Sequence, residues 1–302
     1  MELYTLRNFL AVAKEGNITR AAEILRLSQP ALSRQMMSLE EDLGTALLIR
    51  GKRTVSLTAD GMLLREMAGE LIALAEKTER TLRDGRGRTI RGTVDIGTGE
   101  TDGIRLIARI VQNLRQTHPY VRFRFFSGEA GYVTERLDKG LLDFGMVYGN
   151  IDRNKYEALA LPIRDIWGVL MWKGSPLASQ ETVSRQDLWD KPLILDHQSL
   201  ETGMLKEILG RDPDELNIAA TFNLVLNASK MVACKVGYLV TLENLIDVGT
   251  DSSLCFRRLD PPLVYEMSMI WRKGLLLSPA ADLFLRGVRE ACQEDTSQRY
   301  SD

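Results

Sequence analysis

Gln29, Ser33 and Arg34 are spaced so that one helix presents them on its outer side, and their chemistry is that of base recognition. In the major groove a glutamine amide pairs with adenine, a guanidinium pairs with guanine, and a serine hydroxyl bonds to either. Pro30 stands beside them in the first turn, where its missing N–H costs little. On the other side Leu32, Met36, Leu39 and Leu43 recur at helical steps and predict one buried face. A second basic group, Arg50, Lys52 and Arg53, suits phosphate or minor-groove contact. A third set is polar and follows apolar runs: Thr98, Glu100, Thr101, Ser127, Glu129, Tyr148, His197, Gln198 and Thr241. Parallel α/β sheets bind ligands in such places, beyond the carboxyl ends of their strands.

These side chains need elements to position them. Thr19 is the expected N-cap of a helix running to Leu25, and Ser28 the expected cap of the next, after a turn at Arg26-Leu27-Ser28. The small Ala21-Ala22 pair lets the two helices approach closely. Leu3, Leu6, Phe9, Leu10 and Ala13 follow helical spacing and supply a third helix. Gly44 ends the reading helix. Leu47 to Thr58 reads as a hairpin with Val55 and Leu57 inward and the basic residues at its tip, a wing beside the reading helix. A long helix follows from Ala59 to about Arg83. Its stripe Leu63, Met67, Leu71, Leu74, Thr78 and Leu82 has little local core to cover it, and the same helix of a second chain would do so. Asp84-Gly85-Arg86-Gly87-Arg88 then reads as a hinge.

From Gly92 strands and helices alternate, which predicts a mostly parallel sheet with helices on its faces. Strands are expected at Val94-Ile96, Val121-Phe125, Leu142-Val147, Ile166-Trp172, Leu193-Leu195, Tyr238-Thr241 and Met267-Trp271. A last helix is capped by Ser278 with Pro279. Within the first loop Thr98 and Thr101 offer hydroxyls. A helix N-terminus there offers N–H groups suited to an anion. Glu100 would repel a small anion, unless it points away or caps the helix.

Composition narrows the function. A chain of 302 residues suggests two or three domains, and 44% hydrophobic content is ordinary for sizeable cores. Residues 1–91 carry 15 Lys and Arg against 12 Asp and Glu, the remainder 24 against 29. That bias is weak, but a DNA-binding face needs local charge rather than a high isoelectric point. No apolar run approaches the ~20 residues needed to cross a bilayer, and Glu2 to Arg7 opens a helix rather than a signal peptide, so a cytoplasmic protein without membrane partners is expected. Cys234, Cys255 and Cys292 are odd in number and widely spaced, and His118 and His197 are the only histidines, so no disulfide framework, metal or cofactor is expected. With no GxSxG elbow and no phosphate-binding loop, an enzyme on the α/β half is a weak rival.

Thr19-Arg20-Ala21-Ala22-Glu23-Ile24-Leu25, Leu27-Ser28-Gln29-Pro30-Ala31-Leu32-Ser33-Arg34-Gln35 and Leu39-Glu40-Glu41-Asp42-Leu43-Gly44 together resemble the DNA-binding signature of the LysR-type bacterial transcriptional regulators. Leu47-Leu48-Ile49-Arg50 and Val55 to Gly61 continue the match through the wing. Met37 and Ser38 depart from it, standing where many relatives carry basic residues, which shifts weight onto the wing. Leu137 to Gly145 and Trp271-Arg272-Lys273 with Leu277 to Ala281 resemble the family's sensor half, so the similarity spans nearly the whole chain. The resemblance implies an N-terminal winged helix-turn-helix over residues 1–58, a linker and dimerisation helix over 59–84 and a hinge over 85–91. It further implies a two-lobed α/β effector-binding domain like periplasmic binding proteins, with lobe 1 at 92–161 and 268–302 and lobe 2 at 162–267. The implied partners are an operator duplex, a second copy of the chain, a tetramer of such dimers and a small-molecule effector held at the third set of residues. RNA polymerase is a further expected partner. A regulator with a vestigial cleft and no effector is the main rival.

Overall fold

Leu3–Glu15 (α1), Ile18–Leu25 (α2) and Gln29–Leu43 (α3) surround a core of Phe9, Val12, Ala21, Ala22, Leu32, Met36 and Leu39. The computed structural model describes residues 1–51, 54–84 and 89–299. It divides into two compact units, residues 1–86 with 139–141 and the rest of the chain. The N-cap of α2 is Asn17 rather than Thr19: its side chain accepts from the Arg20 N–H at 3.0 Å, which leaves Thr19 inside the first turn. Arg26 closes α2 in the left-handed region at φ 56°, and Ser28 caps α3 by accepting from the Ala31 N–H. Gly44, at φ 68°, ends α3 with the left-handed turn that glycine adopts without strain. Leu43 is 40% exposed, contrary to its place in the predicted stripe. The helix ends there, and Leu47 and Leu48 complete the core instead.

The wing is Leu48–Arg50 (β1) paired antiparallel with Val55–Leu57 (β2), Leu48 facing Leu57 and Arg50 facing Val55. Lys52 and Arg53 lie outside the described residues, as does the 85–88 part of the expected hinge. Thr58 caps the next helix, Ala59–Asp84 (α4), by accepting from the Gly61 N–H at 3.0 Å. One side of α4 packs on the core through Leu64 and buries Ala68. The stripe of Leu63, Met67, Leu71, Leu74 and Leu82 is exposed.

The C-terminal unit begins with Gly92–Thr98 (β3), Ile104–Thr117 (α5), Val121–Ser127 (β4), Ala130–Asp138 (α6) and Phe144–Tyr148 (β5). Tyr156–Trp172 (β6) is a single 17-residue strand. Then come Thr182–Ser184 (β7), Leu193–Asp196 (β8), His197–Glu201 (α7), Met204–Leu209 (α8), Ile218–Phe222 (β9), Val225–Ala233 (α9) and Tyr238–Leu242 (β10). Leu254–Asp260 (β11), Val264–Arg272 (β12) and Pro279–Arg299 (α10) end it. The sheet order is β4-β3-β5-β12-β6-β10-β8-β9.

Each lobe keeps a parallel trio, β4-β3-β5 and β10-β8-β9, but the two central strands run antiparallel to their neighbours. The sheet is therefore mixed. The strand expected at Ile166 is the second half of β6, which pairs with β12 as far as Ile166 and with β10 from Trp167. The expected crossovers near 161–162 and 266–268 fall inside β6 and β12, and β12 shifts register between Glu266 and Ser268. Phe144, Met269, Trp271 and Phe284 centre the lobe 1 core, so α10 returns to the first lobe. Val169, Leu193, Leu195 and Val240 centre that of lobe 2.

Candidate DNA-reading face and ligand cleft

Gln29, Pro30 and Arg34 are exposed on α3 and Ser33 is half-buried, while Leu32 and Met36 on the opposite side are fully buried. Asn8, itself buried, donates from Nδ2 to Gln35 Oε1 at 2.7 Å and fixes the rotation of α3 on α1. The wing root hangs on Glu40. Its Oε1 accepts from the N–H groups of Leu47 and Leu48 at 2.9 and 3.0 Å, and its Oε2 accepts from Arg50 at 2.8 Å. Arg50, predicted as a DNA contact, therefore starts as the partner of Glu40. Val55 N–H donates to Gly16 O at 2.7 Å and ties the second wing strand to the end of α1. In sequence Glu40 sits in an acidic run and looks like solvated surface; only the hairpin's return gives it a role.

In the C-terminal unit a cleft of about 440 Å³ opens at the carboxyl ends of the parallel strands of both lobes. Six predicted residues line it: Glu100, Ser127, Glu129 and Tyr148 from lobe 1, Gln198 and Thr241 from lobe 2. Thr98, Thr101 and His197 are not in its wall. Thr98 is buried and donates to the Gly99 carbonyl at 2.9 Å. Thr101 is buried and donates to Asp165 Oδ2 at 2.7 Å. His197 is exposed and pairs with Glu201, one helical turn away, at 3.2 Å. The wall also includes Tyr132, Trp167, Asp196 and Phe222, which sequence reasoning missed. Phe222 ends a strand too short and mixed to announce itself, and Trp167 lies where β6 passes between lobes.

Side-chain hydrogen bonds join the lobes at two carboxylates, Glu100 and Asp165. Glu100 Oε2 accepts from the Val225 N–H at 2.7 Å, at the first turn of α9, whose own N-cap Leu224 supplies no side-chain bond. The acid thus caps the helix of the opposite lobe rather than the one that follows it, placing its charge at the positive end of that helix. Asp165, buried on β6, accepts from both Thr101 and Tyr148, the latter at 2.6 Å. Burial first, and the Asp165 charge second, push the Tyr148 phenol far above its ordinary range, so it remains a hydrogen-bond donor. Tyr265 stands 6.1 Å from the Tyr148 ring and 6.0 Å from that of Trp167, bracing both. Among the described residues no group of His, Cys, Asp and Glu could hold a metal ion. Nor, among them, is any helix long and apolar enough to cross a membrane.

The family model described as LysR substrate binding domain matches residues 87–293, and that for the bacterial regulatory helix-turn-helix proteins of the lysR family matches residues 3–62. A probable RuBisCO transcriptional regulator of Trieres chinensis is 30% identical over 294 residues, spanning 93% of this chain and 94% of that protein. The SDS degradation transcriptional activation protein of a Pseudomonas species is 30% identical over 296 residues, spanning 95% of each. Full-length CbnR, solved in complex with its target DNA, superposes with a TM-score of 0.75 at 22% identity over 96% of this chain and 100% of its own.

Proposed function

The chain belongs to the lysR family of bacterial regulatory helix-turn-helix proteins, and from that premise we propose which of its residues read DNA, which hold the backbone and which meet the effector. It is a DNA-binding transcriptional regulator with an effector-binding α/β domain. Gln29, Ser33 and Arg34 read base edges, with Pro30 at the groove floor. The observation that carries this assignment is the two-sidedness of α3: its apolar face is consumed by the core while these side chains stand outward. Arg50, Lys52 and Arg53 hold phosphate or minor groove. The Arg50–Glu40 pair does not forbid this, because a partly exposed ion pair is worth at most about 1 kcal/mol and exchanges readily for a phosphate. The DNA complex of CbnR supports the same use of the same fold here.

The exposed stripe of α4 is the seat of a homodimer, which would set two reading helices on two-fold related half-sites, and such dimers pair into tetramers. RNA polymerase is the further partner at the promoter, and the protein works in the cytoplasm. The α/β half is a receptor, not an enzyme, and uses no cofactor. Its effector sits against Glu100, Ser127, Glu129, Tyr148, Gln198 and Thr241 and biases lobe closure by as much as it prefers one state over the other.

Arg34→Ala should lower discrimination between operator and random DNA by roughly 1–3 kcal/mol, whereas Lys52→Ala should weaken both and flatten the salt dependence. Equal loss on both duplexes in a titration of Arg34→Ala would remove its base-reading role.

A further inference from the structure

We propose that the effector cleft receives a small organic cation, an ammonium group carried on an apolar body. This rests on the effector-binding reading above and adds the charge of the ligand. Carboxylates of Glu100, Glu129 and Asp196 stand in the wall, and among the described residues no Lys, Arg or His lines it. His197 is turned to Glu201, and Arg136 packs over the rings of Phe126 and Tyr132 at 4.9 and 5.3 Å outside the wall. An anion would therefore meet like charges and no counter-charge, while a cation would meet its complement.

One place in the cleft suited to an anion is already taken. A helix N-terminus with free N–H groups is a ready anion site, and here that of α9 holds the Glu100 carboxylate at 2.7 Å. Glu100 acts as a tethered anion and closes that position to a free one. Asp196 accepts from the Ser199 N–H and hydroxyl through Oδ2, both at 2.9 Å, so its charge is held at the cleft wall. Glu129 has no hydrogen bond or ion pair to its carboxylate among the described residues, which leaves it free for a ligand.

The remaining wall fits the same class of ligand. Tyr132, Tyr148, Trp167 and Phe222 line it, the Tyr132 ring already stacked on Arg136; aromatic rings attract cations through their quadrupoles and cover an apolar body. Trp167 is only 7% exposed, yet its Nε1–H has no hydrogen-bond partner among the described residues. A buried donor left unsatisfied is costly, so the surroundings of Trp167 are short of an acceptor.

Calorimetric titration of the full-length protein with matched probes tests this: benzylamine, benzyl alcohol and benzoate, and choline beside its uncharged isostere 3,3-dimethylbutanol. The expected result is that an ammonium probe binds at least about tenfold more tightly than its neutral and anionic counterparts. That preference should shrink in Glu129→Gln and Asp196→Asn while the alcohols bind those variants as before. Retained DNA binding by each variant shows that it is folded. Binding of benzoate as tight as that of benzylamine would overturn the cation assignment and leave the effector reading standing, as would an ammonium preference that both variants keep. Failure of every probe, whatever its charge, to bind at millimolar concentration would take the effector reading down with it.

Discussion

Tyr148 and Thr101 both donate to one oxygen of Asp165, so a carboxylate buried near the lobe crossover is held, among the described residues, by hydroxyls rather than by a cation. Removing one donor leaves that oxygen short of a partner, and Tyr148→Phe should cost about 1–3 kcal/mol of stability at neutral pH. The cost should depend on pH in a definite direction. The folded pKa of Tyr148 is raised above its ordinary 10.0, so the stabilisation is full below that value and is lost as pH rises beyond it. Denaturant unfolding should therefore show the gap between wild type and Tyr148→Phe narrowing at about pH 11; a constant gap would mean the phenol is not held this way. At this scale the sequence was half legible. Thr98 and Thr101 looked like ligand hydroxyls because they follow a strand, but their partners, Gly99 and Asp165, turn both away from the cleft wall. The destination of Glu100 depends on α9, 125 residues further on, and no local pattern announces it.

Among the elements, α3 was the most legible helix because it carries its own punctuation: Ser28 and Gly44 bound it, and apolar residues at steps of three and four mark its buried side, whereas the cap of α2 was misplaced by two residues. The central strands were not. β6 looks like a loop followed by an ordinary strand, since its length is dictated by two sets of partners, β12 before Ile166 and β10 after it. β9 and β11 were missed for a related reason: Ile218-Ala219-Ala220-Thr221-Phe222 and Leu254-Cys255-Phe256-Arg257-Arg258 gain their strand identity from neighbours distant in sequence. The exposed stripe of α4 supports the proposal made for it as a dimer seat, and Leu71→Glu tests that. Leu71 is 42% exposed in the single chain, so the substitution should leave the fold and its thermal transition nearly intact while at least halving the mass in sedimentation. Loss of fold, or an unchanged oligomer, would place the interface elsewhere.

At the scale of the whole molecule, the proposed function requires two copies of one reading helix to address a two-fold related sequence. The most direct measurement is selection of bound duplexes from a random DNA pool by the full-length protein, followed by sequencing. The expected result is an enriched site with two inverted half-sites separated by one helical turn or a multiple of it, an enrichment that Arg34→Ala loses at defined bases. Recovery of a pool no different from the input, at low salt where phosphate contacts alone would hold DNA, would contradict it.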